Sequence, residues 1–341
     1  MVNETAARAV DTRGDWGPAD RGAPTEKKKR FRVTADALHR LRDRKFRRLA
    51  QRRVQGEREA LAFVRDVGFC STFYRFPEGV ACLWEAVAGK TSPRWPRHSH
   101  HDVGIGLTWE LKDSLPARKR VYYGKLLRGR PLLVALDLFP SFYALVRGRQ
   151  RARDYTIEYE AGRLSHTARR IMDAMLDEHP QYTRELRGNV FMLEPSKTRE
   201  FERAMAELQQ GLWLVKSEER YEPTFSYRWD LLETWLPDEV AAGRRLSREA
   251  AVAGVIERYT RGAVFTTERQ LARLFGLQPG EVARAVKRLA RAHTVRANCA
   301  VDGWPGRWLI HAAAAGNARS AMGVRAAGRR GAGSPPAEVR F

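Results

Sequence analysis

The densest run of chemically capable side chains in the chain is His98-Ser99-His100-His101-Asp102. His98, His100 and Asp102 match the HxHxD opening of a metallohydrolase motif, with imidazole and carboxylate as the cation donors. That motif continues with a further His, whereas position 103 is Val, and the preceding Ser-Pro-Arg-Trp-Pro-Arg lacks the buried strand such a site requires. We therefore expect no metal here and no other cofactor, and read the cluster as a hydrogen-bonding loop whose imidazoles are only partly charged at neutral pH. Asp102, Glu110 and Asp137 are acids of the same stretch that could activate a water. Cys70, Cys82 and Cys299 form neither a CxxC pair nor an even disulfide framework, which suits buried thiols in a reducing compartment. No GxxxxGK[ST] phosphate loop, GxGxxG turn or Gly-x-Ser-x-Gly elbow occurs, so nucleotide hydrolysis and serine-hydrolase chemistry lack support.

Charge points elsewhere. Across 341 residues, Lys and Arg number 62 against 40 Asp and Glu, a formal net charge of +22. Such an excess favours polyanions, because cations that neutralise phosphates release condensed counterions. A membrane surface fits less well: no lipidation signal is visible, and no stretch nears the roughly 18 apolar residues of a spanning helix. The polar start MVNETAARAVDTRGDW has no apolar signal core, so we expect a cytoplasmic, nucleoid-associated protein with double-stranded DNA as partner. The composition assigns no oligomeric state. Residues 1–30 read as a disordered basic arm ending in Lys27-Lys28-Lys29-Arg30, and residues 312–341 as a second disordered tail.

The elements that would present these charges are readable from periodicity. Thr34 precedes Leu38, Leu41, Phe46 and Leu49 on one helical face, and Leu61, Val64 and Val67 continue a second helix that Gly68 ends. Phe69 to Arg130 is irregular and aromatic, Leu132 to Leu136 reads as a buried strand, and Pro140 opens a short helix. Ser165 caps an amphipathic helix with Ala168, Ile171, Met172, Met175 and Leu176. Thr183 and Ser196 are expected caps of two more, before strand-like runs at Leu212 to Val215 and Thr224 to Trp229. Three helices followed by a hairpin is the winged-helix order.

The order returns from Ser247. Val252, Val255, Ile256 and Tyr259 form one face, Thr267 and Gln270 a capping box, Phe275-Gly276 a turn, and Val282, Val286 and Leu289 the buried stripe of the next helix. Opposite that stripe stand Gln278, Arg284, Lys287, Arg288 and Arg291, able to reach base edges or phosphates in a major groove, or else an ordinary solvated face. Arg296 and Arg307 flank the turn Asp302-Gly303-Trp304-Pro305-Gly306 and are expected to touch backbone phosphate. The expected fold class is α+β, mainly helical, with tandem winged-helix (helix-turn-helix) domains: residues 31–150, with an irregular insertion, 163–236 and 244–311.

The segments VRDVGFCSTF with Cys82-Leu83-Trp84, VYYGKLLRGRPLLVALDLFPSFYAL, TARRIMDAML with Tyr182 to Leu186, and FERAMAELQQGLWLVK resemble the AlkZ/YcaQ-type DNA glycosylases. More closely, they resemble the AlkZ-related proteins. That resemblance implies tandem winged-helix domains acting on alkylated or crosslinked DNA, in repair or lesion recognition. It also implies a Gln-x-Asp pair shortly after a glycine, whose Asp would orient water or stabilise a developing sugar cation. Placing Gly68 on that glycine puts Ser71 and Phe73 at the pair, and Phe73 carries no charge for the task. A transcriptional regulator without catalysis is the alternative. Trp84, Trp95, Tyr122, Tyr123 and Tyr143 are aromatics that could stack on an extruded base or fill the core.

Overall fold

Residues 32–314 are described by the structure, a computed structural model. The expected basic arm, and the expected tail from residue 315 onward, lie outside the described residues. The start of that tail is held rather than free, since the Ala312 N–H donates to the Thr294 carbonyl at 2.9 Å. After β1 (Arg32–Thr34), the Thr34 hydroxyl accepts the Ala37 N–H at 3.3 Å and starts α1 (Ala35–Lys45) as the sequence predicts. α2 (Glu57–Val67) buries Ala60, Leu61, Phe63, Val64 and Val67 on one face. It stops at Gly68, whose φ of +85° a side chain would strain.

The stretch that reads as irregular in the sequence is built from short pieces. β2 (Phe69–Ser71), β3 (Ala81–Cys82), α3 (Leu83–Ala88), α4 (Val103–Ala117), β4 (Val121–Leu127) and β5 (Arg130–Ala135) follow in order. They make a sheet ordered β3-β2-β5-β4, in which β2 runs parallel to β3 and antiparallel to β5. α5 (Phe139–Val146) closes this part, with Phe139, Phe142 and Tyr143 buried.

The middle of the chain contains α6 (Tyr155–Glu160), α7 (His166–Asp177), β6 (Gln181–Tyr182), α8 (Thr183–Asn189), α9 (Thr198–Gln210), β7 (Leu214–Arg220) and β8 (Ser226–Leu231). The order α7, α8, α9 and then the β7–β8 hairpin is that of a winged helix. Ser165 caps α7 through the Ala168 N–H at 3.2 Å. Two other expected caps act differently. Ser196 sits in a single 3₁₀ turn ahead of α9. Thr183 instead donates to the Tyr227 carbonyl at 3.1 Å and accepts from Trp229 Nε1 at 3.0 Å, tying α8 to the hairpin, while Glu185 takes the Tyr182 N–H at 2.8 Å. The strands also run further into the polar Ser-Glu-Glu-Arg segment than alternation predicts, because Glu218, Glu219 and Arg220 pair with Arg228, Tyr227 and Ser226.

α10 (Leu232–Trp235) and α11 (Pro237–Arg245) lead to α12 (Arg248–Ala263), β9 (Phe265–Thr266), α13 (Glu268–Phe275), α14 (Pro279–Arg291), β10 (Val295–Asp302) and β11 (Trp308–His311). The Ser247 cap and the Thr267/Gln270 capping box form as the sequence predicts, at 3.2 Å for the first and 3.1 and 3.0 Å for the second. β1 adds to this last hairpin, parallel to β10, in the order β1-β10-β11-β9.

Buried apolar side chains gather into two clusters. One belongs to the middle winged helix, around Ile171, Met172, Leu186, Phe201, Leu208 and Leu231. The other is shared by the beginning and the end of the described chain: Phe46, Phe63, Phe69, Leu133 and Phe142 pack in the same cluster as Val255, Ile256, Tyr259, Leu274 and Leu289. Gly262 permits the closest approach between these parts, since a Cβ there would stand 2.8 Å from the Val67 carbonyl oxygen. Arg42 reinforces it by donating to the Ala263 and Phe265 carbonyls at 2.7 and 2.6 Å. The chain is thus α+β and mainly helical, with tandem winged-helix units.

Candidate functional site

α4 starts on a side-chain cap. The Asp102 carboxylate accepts the Ile105 N–H at 2.8 Å, and Leu111 and Leu115 bury one stripe. That stripe fixes Trp109 and Lys112, one turn apart, toward the middle winged helix. Lys112 is buried, and its amine lies 2.9 Å from Glu219 Oε1 on β7. It also contacts the neighbouring Asp113 carboxylate.

On β7 a bulge decides the chemistry. Side chains alternate along a strand, so Lys216 and Glu219, three positions apart, would ordinarily face opposite ways. The register shift between Lys216 and Glu218 inserts one residue, Ser217. Lys216 then pairs with Trp229 and Glu219 with Tyr227, which puts all four on one face of the hairpin. Lys216 and Lys112 consequently both contact Glu219. Tyr221 completes the cluster, its hydroxyl 2.7 Å from Asp113 Oδ2 and 3.0 Å from Glu219 Oε2.

Lys112 and Lys216 border a cavity of about 470 Å³, with walls from Trp109, Tyr123, Gly124, Met205, Tyr227 and Trp229. That volume falls within the roughly 300–1,000 Å³ of small-molecule sites. The two amines sit against its aromatic faces: Lys112 is 4.8 Å from the Trp109 centroid, and Lys216 is 4.8 Å from Tyr123 and 5.0 Å from Tyr227. Burial, and next the Lys112 ammonium, hold Lys216 down at about 7, against the opposing pull of Asp113. Burial and the hydrogen bond to Asp113 push the Tyr221 hydroxyl up to about 12. The site thus combines an amine able to be neutral at physiological pH, two carboxylates in contact with it or its neighbour, and flat apolar walls.

Trp109 also belongs to a second aromatic group. Phe73 lies 5.1 Å from Trp109, 5.6 Å from Trp95 and 6.0 Å from Trp84, centroid to centroid. Trp95 and Trp109 are 54% and 47% exposed, too open for core side chains. Tyr122 and Tyr143, by contrast, are buried core residues.

A sequence model of the AlkZ-related family matches residues 54–276, more than half of the chain. The chain belongs to the AlkZ-related family. Among solved structures it is similar to the Streptomyces sahachiroi DNA glycosylase AlkZ, with a TM-score of 0.52 and 13% identity, over 82% of this chain and 72% of that one. At that identity the likeness concerns the fold. No curated protein matches the chain.

In this member of the AlkZ-related family, the positions given by resemblance to Gln and Asp are filled as follows. Ser71 is wholly buried in β2, its hydroxyl spent on the Tyr74 and Ala81 carbonyls. Phe73 stands in the aromatic group beside Trp109. Of the acids considered from sequence, Asp102 is the α4 cap, Glu110 is exposed on α4, and Asp137 is paired with Arg258 at 2.6 Å. None of the three lines the cavity described above. In the His98–Asp102 segment the His100 side chain is outside the described residues. Among the described residues no three His, Cys, Asp or Glu side chains group as cation ligands. The thiols of Cys70, Cys82 and Cys299 are buried and free, and burial raises all three above their ordinary range.

On α14, Val282, Ala285, Val286 and Leu289 are buried, while Gln278, Arg284, Lys287, Arg288 and Arg291 are exposed on the other side. Arg296 and Arg307, on β10 and just before β11, are exposed too. The helix starts on a capping box in which Glu281 accepts the Gln278 N–H at 3.0 Å, and Arg288 lies 3.8 Å from Glu249. The cavity and the α14 face therefore lie on different winged-helix units. Sequence reasoning singled out the α14 face and Tyr123 but missed Lys112, Lys216 and Glu219. A signal was present: Lys216 is the charged residue that follows the apolar run Leu212 to Val215.

Proposed function

We propose that this protein binds duplex DNA and receives an extruded nucleobase in the cavity between α4, β4 and the middle winged helix. The observation that carries the reading is the placement of Phe73. Where the resemblance sets a catalytic carboxylate, this chain has an aromatic ring against Trp109, whose own ring helps wall the cavity with its paired amines. Stacking walls and a few converging polar groups are what base-directed proteins need once a nucleotide leaves the helix. The net charge of +22 and the exposed cations of α14 and its wing supply duplex affinity. The family and the fold of AlkZ support a role in DNA repair or lesion recognition. The expected localisation follows from such a role; among the described residues no helix is long and apolar enough to cross a membrane.

The test is single-turnover base release from alkylated and interstrand-crosslinked duplexes with protein in excess. Release that is lost in Trp109→Ala would support excision at this cavity. Tight duplex binding with no release from any lesion would favour the second reading, a reader without catalysis. That reading draws on Ser71 and Phe73, and it predicts preference for one operator by a factor of about a thousand or more over random duplex.

A further inference from the structure

Among the described lysines, Lys112 and Lys216 are unusual in being drawn to one cavity. They come from a helix and a bulged strand far apart in sequence, meet at one carboxylate oxygen of Glu219, and front a cavity walled by aromatic rings. An ion-pair network serving stability alone needs no adjoining space, although the charges here balance, two lysines with Glu219 and Asp113. Here two cations crowd one oxygen, with the side chain of Lys216 12% exposed at the cavity and that of Lys112 only 5%. When Lys216 is neutral, Lys112 can hydrogen-bond to its nitrogen. Desolvation beside a second cation is how proteins prepare a lysine to attack a carbonyl.

We propose that Lys216 is an amine nucleophile that condenses with the C1′ aldehyde of an abasic deoxyribose held in this cavity. The proposal rests on the reading above, in which the cavity receives a nucleotide from DNA, and adds the substrate class and the bond formed. The Lys216 nitrogen forms a bond to C1′. The carbonyl oxygen leaves as water, taking up the two hydrogens the nitrogen gives up, and the product is an imine between protein and sugar. Glu219, in contact with both amines, is the nearest carrier for the proton in transit. Lys112 is a positioning residue: after burial, its charge is what holds Lys216 toward the neutral form. The groups nearest Lys216 are Lys112 and Asp113 from α4, Glu219 from its own strand, Tyr123 from β4 and Tyr227 from β8, with Tyr221 bonded to the carboxylates, while Lys125 of β4, Arg187 of α8 and Glu202 of α9 line the same cavity. Removing Lys112 takes away the cation that acts on Lys216 and moves its protonation to higher pH.

The experiment is borohydride trapping on the full chain, with an abasic-site duplex and, separately, deoxyribose 5-phosphate as a small aldehyde that needs no duplex binding. Duplex affinity is measured in parallel. The expected result is a one-to-one reduced adduct mapped to Lys216, lost at least tenfold in Lys216→Met at protein concentrations that saturate the duplex. In Lys112→Met the pH midpoint of trapping with the small aldehyde should rise by one unit or more. An adduct mapped to another lysine, or duplex binding without any adduct, overturns the proposal and leaves the DNA-binding reading standing. Absence of duplex binding overturns that reading, and trapping of the small aldehyde anywhere but Lys216 then overturns the proposal as well.

Discussion

The Glu78 carboxylate, wholly buried between β2 and β3, accepts the Nε–H of Arg273 on α13 at 2.8 Å and so joins side chains 195 positions apart. Arg128, from the turn between β4 and β5, approaches the same oxygen at 3.0 Å. The second carboxylate oxygen, Oε2, has no hydrogen-bond partner among the described residues. The buried charge thus depends on two guanidinium groups that are themselves about half exposed.

Removing either arginine leaves the other, so Arg128→Ala and Arg273→Ala should each cost little. Removing both strands a buried carboxylate, and we expect about 2–4 kcal/mol, below the roughly 3–5 kcal/mol of fully buried pairs because solvent screens the arginines. Urea denaturation of the two single variants and the double variant measures this. Strict additivity would show that Glu78 does not rely on the pair.

Gly262→Ala should destabilise by about 1–3 kcal/mol, because the new methyl would press on the backbone of Val67 and separate α2 from α12. Gly188→Ala is the matched control. That glycine is also helical but has nothing within 4 Å of a built Cβ, so alanine should be neutral or stabilising by about 0.5–1 kcal/mol. Thermal unfolding of the two variants side by side distinguishes close packing from helix propensity.

Arg284→Ala, Lys287→Ala and Arg288→Ala combined should weaken duplex binding and flatten its dependence on salt, by about 0.9 in log–log slope for each phosphate no longer neutralised. Their exposure makes a change of fold stability beyond about 0.5 kcal/mol unexpected. Fluorescence anisotropy across a salt series reads the slope directly. An unchanged slope would remove this face from the interface.

Lys216 should make folding stability depend on pH. Its folded value near 7 lies below its ordinary 10.5. Between those values the unfolded chain holds a proton that the folded chain has released, so this group makes stability rise with pH across that window. Below about 7 both states are protonated and the burial cost is felt in full. Lys216→Met, apolar and of similar length, should remove the dependence, flattening the curve relative to the parent between pH 7 and 10.5. Urea midpoints taken across that range provide the comparison, and parallel curves would refute the shift.

Where one residue type acts on its nearest backbone, the chain was legible from its sequence. Thr34, Ser165 and Ser247 cap as expected, Thr267 and Gln270 form their box, and Gly68 ends α2 at a positive φ, though with a ψ of −43° rather than the left-handed helical value. The apolar stripe of α14 follows equally simply from its period. The part between Phe69 and Arg130 was not legible because its first strands are two or three residues long and held by partners elsewhere, such as β2 between β3 and β5. The cavity was hidden for a related reason. Lys112 and Glu219 meet across 107 positions, and only a bulge, which leaves no mark in the alternation of residue types, turns Lys216 to the same side.

The two buried clusters differ in when they can be completed as the chain is made. That of the middle winged helix draws on residues from Tyr155 to Leu231 and can close as soon as that stretch has left the ribosome. The other requires Val252 to Leu309 to cover Phe46 to Tyr143. Leu212 to Val240 supply part of that cover earlier, but the early side chains that pack on Val252 and beyond must wait more than a hundred residues, on the order of ten seconds at ordinary elongation rates. A nascent chain that stalls in this interval carries half a core open to solvent beside a finished winged helix. Such a product is a ready substrate for chaperones and proteases, and α12 to β11 is the segment whose arrival ends that exposure.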